Sequence, residues 1–161
     1  MVTEKQALSE AIESLYETFS DYPLAQKIEG CPCFVSDEDE ISLHRKPLRR
    51  LTAEDLTRYA TKALTTWGTV SDYKHFLPRL FELVPELEGI TYELDIEVLF
   101  GKLRYGKWEI WPEGEQKAIR QYLMALWRFV LSVPMDAEII DEYLDGIGQA
   151  EDDMSSYLEA L

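Results

Sequence analysis

The stretch that decides the fold runs from Pro112 to Leu131 and reads PEGEQKAIRQYLMALWRFVL. Its apolar residues recur with the period of an amphipathic helix: Ile119, Tyr122, Leu123, Leu126, Trp127, Val130 and Leu131. Proline suits the first position of a helix, and Glu113 and Glu115 suit its positive N-terminal end. We therefore predict that the longest and most apolar helix begins at Pro112 and places Trp127 at the centre of the core.

Similar stripes and helix-end signals occur on both sides of this stretch. They predict helices at roughly 4–20, from Thr52 to a stop at Gly68, from a cap at Asp72 through Pro78, from about Asp95 to near Gly106, and from Asp136 onward. Thr3 with Gln6, and Thr52 with Asp55, have the spacing of N-terminal capping residues. Residues 24–29 are expected to add one short helical turn.

Proline and glycine modify two of these helices. Pro78 cannot donate a backbone hydrogen bond, so we expect either a kinked helix or two short ones after Asp72. Gly146 and Gly148 are expected to separate a final short helix that ends at Leu161.

The pattern as a whole predicts an all-α protein. Alternation of apolar and polar residues over a strand length is almost absent. We predict one domain over residues 1–161, built as an irregular bundle of about six or seven helices, with stacked helical hairpins as the alternative. Residues 30–51, which contain Cys-Pro-Cys, are expected to form an irregular ordered loop.

Charge restricts the classes of function. The 161 residues include 31 Asp and Glu against 16 Lys and Arg, a formal net charge of −15. Phosphate backbones are bound by Lys and Arg that displace counterions, so general affinity for nucleic acid is not expected. Anionic membrane surfaces are disfavoured for the same reason.

The N-terminus is acidic where a signal peptide would be basic, and no stretch resembles a membrane span. We therefore expect a soluble cytoplasmic protein in which Cys31 and Cys33 are reduced thiols.

Two sets of residues could carry chemistry. Cys31 and Cys33 could bind a metal, with His44 or His75 as a further ligand, although two close thiols leave a four-ligand zinc site incomplete. The alternative is a pair of small, partly buried residues in a turn, and no cofactor is expected.

The second set lies at helical spacing from Asp72. Its members are Asp72, His75, Arg79 and Glu82, which place an acid, an imidazole and a guanidinium on one face. Such a face suits acid–base catalysis, but no nucleophile or cofactor motif accompanies it. The alternative is a polar network that anchors the helix.

Two tryptophans are candidate partner contacts. Trp108 and Trp111 flank a turn beside Glu109, whereas Trp67 and Trp127 lie on apolar stripes. Tryptophan is enriched at binding hot spots, so Trp108 and Trp111 are the better surface candidates of the four. The general burial of large aromatic side chains favours packing over a helix start even for these two.

Several short segments resemble a family of uncharacterised bacterial helical proteins. They are TWG at 66–68, DYKHFLPR at 72–79, EL at 82–83, and Trp108 with WPE at 111–113. The resemblance covers roughly Gly30–Trp127 and implies a bacterial source. It implies no activity, cofactor or partner.

The C-terminal region provides the main functional hypothesis. Residues 129–161 contain nine acids and no Lys or Arg, yet keep a helical apolar stripe. We expect a non-enzymatic interaction protein in which Asp141, Glu142 and Asp145 face a basic macromolecule, since charge of this kind speeds encounter. We expect a further acidic set to face the same partner: Glu82, Glu86, Glu88, Glu93, Asp95 and Glu97.

One form of such a protein is a small acidic inhibitor, as an immunity protein is for a basic nuclease; this follows from size and charge alone. The alternative function is a metal-binding protein or an enzyme that uses the Cys31 and Cys33 loop or the face of Asp72, His75 and Arg79.

Overall fold

The computed structural model describes residues 2–86 and 94–161, and within them the chain is all-α, as predicted. The helices are α1 Glu4–Thr18, α2 Asp37–His44, α3 Ala53–Lys62, α4 Val70–Leu83, α5 Ile96–Tyr105, α6 Glu113–Ser132, α7 Ala137–Ala150 and α8 Ser155–Glu159. Three 3₁₀ turns accompany them at Leu48–Arg50, Val84–Glu86 and Trp108–Ile110.

The helices fall into two compact units. The terminal unit comprises Met1–Thr18 with Ile96–Leu161, and the middle unit comprises Phe19–Asp95. The single domain over residues 1–161 stays a prediction.

In the terminal unit, α1 packs along α6 and α5 packs along α7. The α6 stripe forms the centre as predicted, because Trp127 has no exposed surface. Its indole N–H donates to the carbonyl of Tyr157 at 2.8 Å, which ties α8 to α6. The helix itself begins at Glu113, since Pro112 is the N-cap with a non-helical ψ of 141°.

The expected break at Gly146 and Gly148 is wrong. Helix α7 continues through both glycines to Ala150. A Cβ at position 146 would lie 3.0 Å from Cγ1 of Ile96, so Gly146 allows α5 to approach closely. Packing of this kind outweighs the modest helix propensity cost of a glycine.

In the middle unit, capping boxes start three helices. The side chains of Ser36, Thr52 and Thr69 each cap a helix, and the reciprocal acids are Asp39, Asp55 and Asp72. The box at Thr52 was predicted, as was the reciprocal pair of Thr3 and Gln6 in the terminal unit. Asp72 was predicted as the cap itself, but it is the third residue of α4.

The expectation of an irregular loop over 30–51 is wrong for its second half. The acidic run that follows Ser36 forms the first turn of α2, where carboxylates suit the helix dipole. The chain then makes the 3₁₀ turn Leu48–Arg50. The helical turn expected at 24–29 is absent from the structure at those residues.

Helix α3 is shorter than predicted. It ends at Lys62, and Leu64 adopts a left-handed φ of 68°. The chain then turns back to pair with the cysteine segment: Cys31 N–H donates to Thr66 at 2.8 Å and Gly68 N–H donates to Glu29 at 2.6 Å. Helix α4, in contrast, is one helix with Pro78 inside it, so the alternative of two short helices is wrong.

A first prediction concerns the centre of the terminal unit. Replacing Trp127→Ala should lower the free energy of unfolding by about 3–5 kcal/mol, because lost transfer energy and a cavity add together. Urea unfolding measures the loss. The control is Arg128→Ala, an exposed neighbour on α6, which should change stability by less than about 0.5 kcal/mol. A loss below about 1 kcal/mol at Trp127 would contradict its central burial.

A second prediction concerns the cap of α3. Burial alone would raise the pKa of Asp55, but hydrogen bonds from Lys46 and Thr52 outweigh it, so the pKa lies below 3.8. A carboxyl with a lowered folded-state pKa stabilises fully above its unfolded pKa and loses this contribution as pH falls through the folded value.

Asp55→Asn should therefore lower the thermal unfolding midpoint near neutral pH, and the difference from the wild type should vanish once the pH falls below the folded-state pKa of Asp55. The control is Asp141→Asn, which removes an exposed carboxylate. A difference between wild type and Asp55→Asn that is independent of pH would show that the carboxylate charge does not stabilise the cap.

Candidate functional site

Helix α7 presents one face of unpaired carboxylates. Glu138, Asp141, Glu142 and Asp145 are exposed, and their offsets of i, i+3, i+4 and i+7 place them on one side of the helix. We call these four residues the acidic face. Within residues 2–86 and 94–161, none of the four makes an ion pair.

The opposite side of α7 is the buried side. Tyr143, Ile147 and Ala150 are buried, with Ile147 fully so. Since α7 packs against α5 and α6, the orientation of the acidic face towards solvent follows from this burial. The acidic residues predicted as partner contacts, Asp141, Glu142 and Asp145, are therefore exposed as expected.

The C-terminal end of α7 is held by side chains from two other helices and a turn. The indole N–H of Trp108 donates to the carbonyl of Ala150 at 3.0 Å. Arg104 donates through Nε to the carbonyl of Gln149 at 2.8 Å. Cationic groups at this end complement the negative pole of the helix and satisfy carbonyls that lack helical partners.

The same cations neutralise the acids that follow α7. Arg104 pairs with Asp152 at 2.8 Å, and Arg120 pairs with Glu151 at 3.1 Å. The Arg120 guanidinium also lies 4.7 Å from the ring centroid of Trp108, in a cation–π arrangement. The acids beyond α7 are thus partly compensated, whereas the acidic face is not.

The prediction that Trp108 and Trp111 lie at the surface is wrong. Their exposed fractions are 3% and 7%. The Trp111 indole donates to the carbonyl of Gly106 at 2.9 Å, while Gln116 donates to the carbonyl of Trp111 at 2.7 Å. The indole N–H of each ring donates to a backbone carbonyl, so packing over a helix start describes both tryptophans.

The three predicted metal ligands are not brought into one group. Cys31 is half-buried and Cys33 is exposed, both as free thiols. The imidazole of His44 lies 2.7 Å from a carboxylate oxygen of Glu40 on the same helix. Among the residues that the structure describes, no cluster of three or more His, Cys, Asp or Glu side chains could hold a metal ion.

Glu40 joins three parts of the middle unit, and sequence reasoning did not single it out. Its carboxylate accepts the N–H of Ile28 at 2.8 Å and the indole N–H of Trp67 at 3.3 Å, in addition to its contact with His44. Nothing in the acidic run 37–40 distinguishes this glutamate, because its partners come from distant parts of the chain.

The predicted polar network on α4 divides into separate contacts. Asp72 bonds to Thr69 in the capping box. Nδ1 of His75 lies 2.8 Å from the carbonyl of Tyr22. Arg79 donates to the carbonyl of Leu51 at 2.7 Å and pairs with Glu82.

These contacts favour the anchoring alternative over a catalytic face. His75 fastens α4 to the chain at Tyr22, and Arg79 fastens it to the chain at Leu51. Lys74 adds to the first anchor, because its ammonium is buried and donates to the Tyr22 hydroxyl at 3.1 Å.

No protein family, curated protein or solved structure significantly matches the chain. The resemblance to a bacterial family stays a prediction. Among the described residues, none of the helices has the length and apolar character needed to cross a bilayer.

The third prediction tests the place of Trp108. Trp108→Phe keeps an aromatic ring beside Arg120 but removes the donor to the Ala150 carbonyl. We expect a loss of about 1–3 kcal/mol in the free energy of unfolding, because a buried acceptor is left unpaired. Amide hydrogen exchange should also quicken in the last turn of α7.

The matched control is Ile110→Ala in the same 3₁₀ turn, where the side chain is 76% exposed and should be replaceable without loss. Equal stabilities of the two variants would contradict the assignment of Trp108 to the end of α7.

Proposed function

We propose that this protein is a non-enzymatic interaction module that binds a basic macromolecule through the acidic face of α7. The observation that carries the proposal is the set of four exposed carboxylates on one side of the helix, without ion pairs among the described residues. The proposal extends to a cytoplasmic location and to an acidic inhibitor as one form of the module.

The distribution of charge supports this choice of surface. The terminal unit contains 17 acids against 7 Lys and Arg, whereas the middle unit contains 14 against 9. Two of the seven cations, Arg104 and Arg120, are engaged at the end of α7. The negative field is therefore strongest in the unit that contains the acidic face, where it would steer a cationic partner.

The electrostatic repulsion among the carboxylates of the acidic face also supports the proposal. Carboxylates at offsets of three and four residues repel one another by a few tenths of a kcal/mol per pair. Glu138 is compensated in part by the positive end of the helix, but Asp141, Glu142 and Asp145 lie beyond the first turn. A cationic partner would relieve this repulsion on binding.

The second acidic set contributes less to the proposal. Glu82 is engaged by Arg79. Glu88 and Glu93 lie outside the described residues. The acidic face of α7 is therefore the proposed binding surface.

The fourth prediction compares two triple variants. The test variant carries Asp141→Asn, Glu142→Gln and Asp145→Asn. The control carries Glu10→Gln, Glu109→Gln and Glu159→Gln, which removes the same charge from exposed positions of the terminal unit outside α7. A basic partner is isolated from the source cells with the wild type, and its association and dissociation rates are measured with all three proteins.

At about 0.1 M salt, where the screening length is about 10 Å, the test variant should associate several-fold more slowly than the control. The rates should converge at about 1 M, where that length is about 3 Å, and dissociation should change much less. The test variant should be at least as stable as the wild type, because repulsion is removed. Equal association rates of the two variants, or only acidic and neutral partners, would defeat the proposal.

A further inference from the structure

The local charge reverses in one short segment of the middle unit. Residues 44–50 read HRKPLRR and contain four of the 16 Lys and Arg of the chain. These are Arg45, Lys46, Arg49 and Arg50. In a protein of net charge −15, such a cluster is the place where an anion would meet the least repulsion.

The backbone folds this segment into a tight turn. Helix α2 ends at His44, with Arg45 as its C-cap, and Pro47 precedes the 3₁₀ turn Leu48–Arg50. The N–H of Arg50 donates to the carbonyl of Pro47 at 2.9 Å. Leu43 and Leu51, each 1% exposed, fasten the two ends of the turn in the core of the middle unit.

An open surface concavity of about 370 Å³ lies at this turn, lined by the exposed residues Arg45, Lys46, Pro47 and Arg50. Its charged lining groups are all cations. The C-terminal pole of α2 adds a partial negative charge, which is smaller than the full positive charge of Arg50 alone.

The cations of this pocket are available to a ligand to different degrees. Lys46 pairs with Asp55 at 2.8 Å, and Arg45 pairs with Glu38 at 2.9 Å. The second pair is weak, because both side chains are more than half exposed. Within residues 2–86 and 94–161, Arg50 makes no ion pair, so its charge is uncompensated.

We propose that this pocket binds a phosphate monoester, with Arg50 as the main ligand and Arg45 and Lys46 as supporting cations. Guanidinium groups donate paired hydrogen bonds to phosphate oxygens. A phosphate dianion is attracted to three cations more strongly than a carboxylate, which has only one negative charge. The volume lies at the small end of the range for small-molecule sites. Pro47 supplies an apolar wall for the ester group.

Nucleic acid does not fit this site equally well. Affinity for a polyphosphate backbone needs a track of many Lys and Arg, and strong acidity elsewhere in the chain opposes it. The shared chemistry is therefore one phosphate group, carried either by a small metabolite or by a phosphorylated side chain of a protein.

The fifth prediction is tested on the full chain by amide NMR titration at low salt. The probes are inorganic phosphate, O-phosphoserine, a phosphoserine peptide, its unphosphorylated form, sulfate and acetate. The phosphorylated probes should shift amides within residues 44–51. Free phosphoserine that binds as tightly as the peptide indicates a small metabolite, and tighter binding of the peptide indicates a phosphorylated side chain.

Two arginine variants locate the site. Arg50→Gln should weaken binding about tenfold, because a charge-assisted contact is lost. Arg128→Gln, the same chemical change at an exposed arginine of the terminal unit, should leave the affinity unchanged. The proposal is overturned if the shifts lie outside 44–51, if Arg50→Gln binds like the wild type, or if sulfate and acetate bind as tightly as phosphoserine.

Discussion

The excess of carboxylates is the physical constraint on which the rest of this structure depends. With 31 acids and 16 Lys and Arg, nearly half of the acids cannot obtain a cationic partner of their own within the chain. Three of the cations join segments that are distant in sequence: Arg58 pairs with Asp39, Arg104 with Asp152 and Arg120 with Glu151. Four of the acids without an ion pair among the described residues share one face of α7, which is why that helix is the proposed binding surface.

Short helices in the middle unit are stabilised by capping interactions at their ends and by contacts with residues distant in sequence. Helix α2 has only eight residues, a length that is marginal in isolation. Its capping box and its first-turn acids satisfy the free N–H groups, and Glu40 connects it to Ile28 and Trp67. The acidic run 37–40, whose composition suggests a solvated segment, is therefore part of the structure that supports the segment around Cys31 and Cys33.

The two proposed sites use opposite charges on different units of the chain. The acidic face makes no ion pair within the described part of the chain, and it acts through long-range attraction that salt screens. The pocket beside Arg50 depends on short-range hydrogen bonds from guanidinium groups, which distinguish phosphate by geometry. The buried tryptophans serve neither site, because the indole N–H groups of Trp108, Trp111 and Trp127 donate to backbone carbonyls and that of Trp67 donates to Glu40.

The sequence by itself determined what depends on contacts within a few turns of one helix. The all-α class, the central α6 stripe with Trp127, the capping pairs at Thr3 and Thr52, and the exposed acids of α7 all follow from spacing along the chain. These features involve neighbours at offsets of three or four residues, so the period of the helix is sufficient to place them.

Only the tertiary structure decided which distant carbonyls and carboxylates the polar side chains reach. The indole N–H of Trp108 donates to the carbonyl of Ala150, 42 residues away, and that of Trp67 donates to the carboxylate of Glu40, 27 residues away. Gly146 continues a helix because Ile96 packs against it, and the row from Asp72 to Glu82 divides because Tyr22 and Leu51 approach α4 at different points. The physical reason is that a buried donor must find an acceptor, and packing of whole helices determines which acceptor is near.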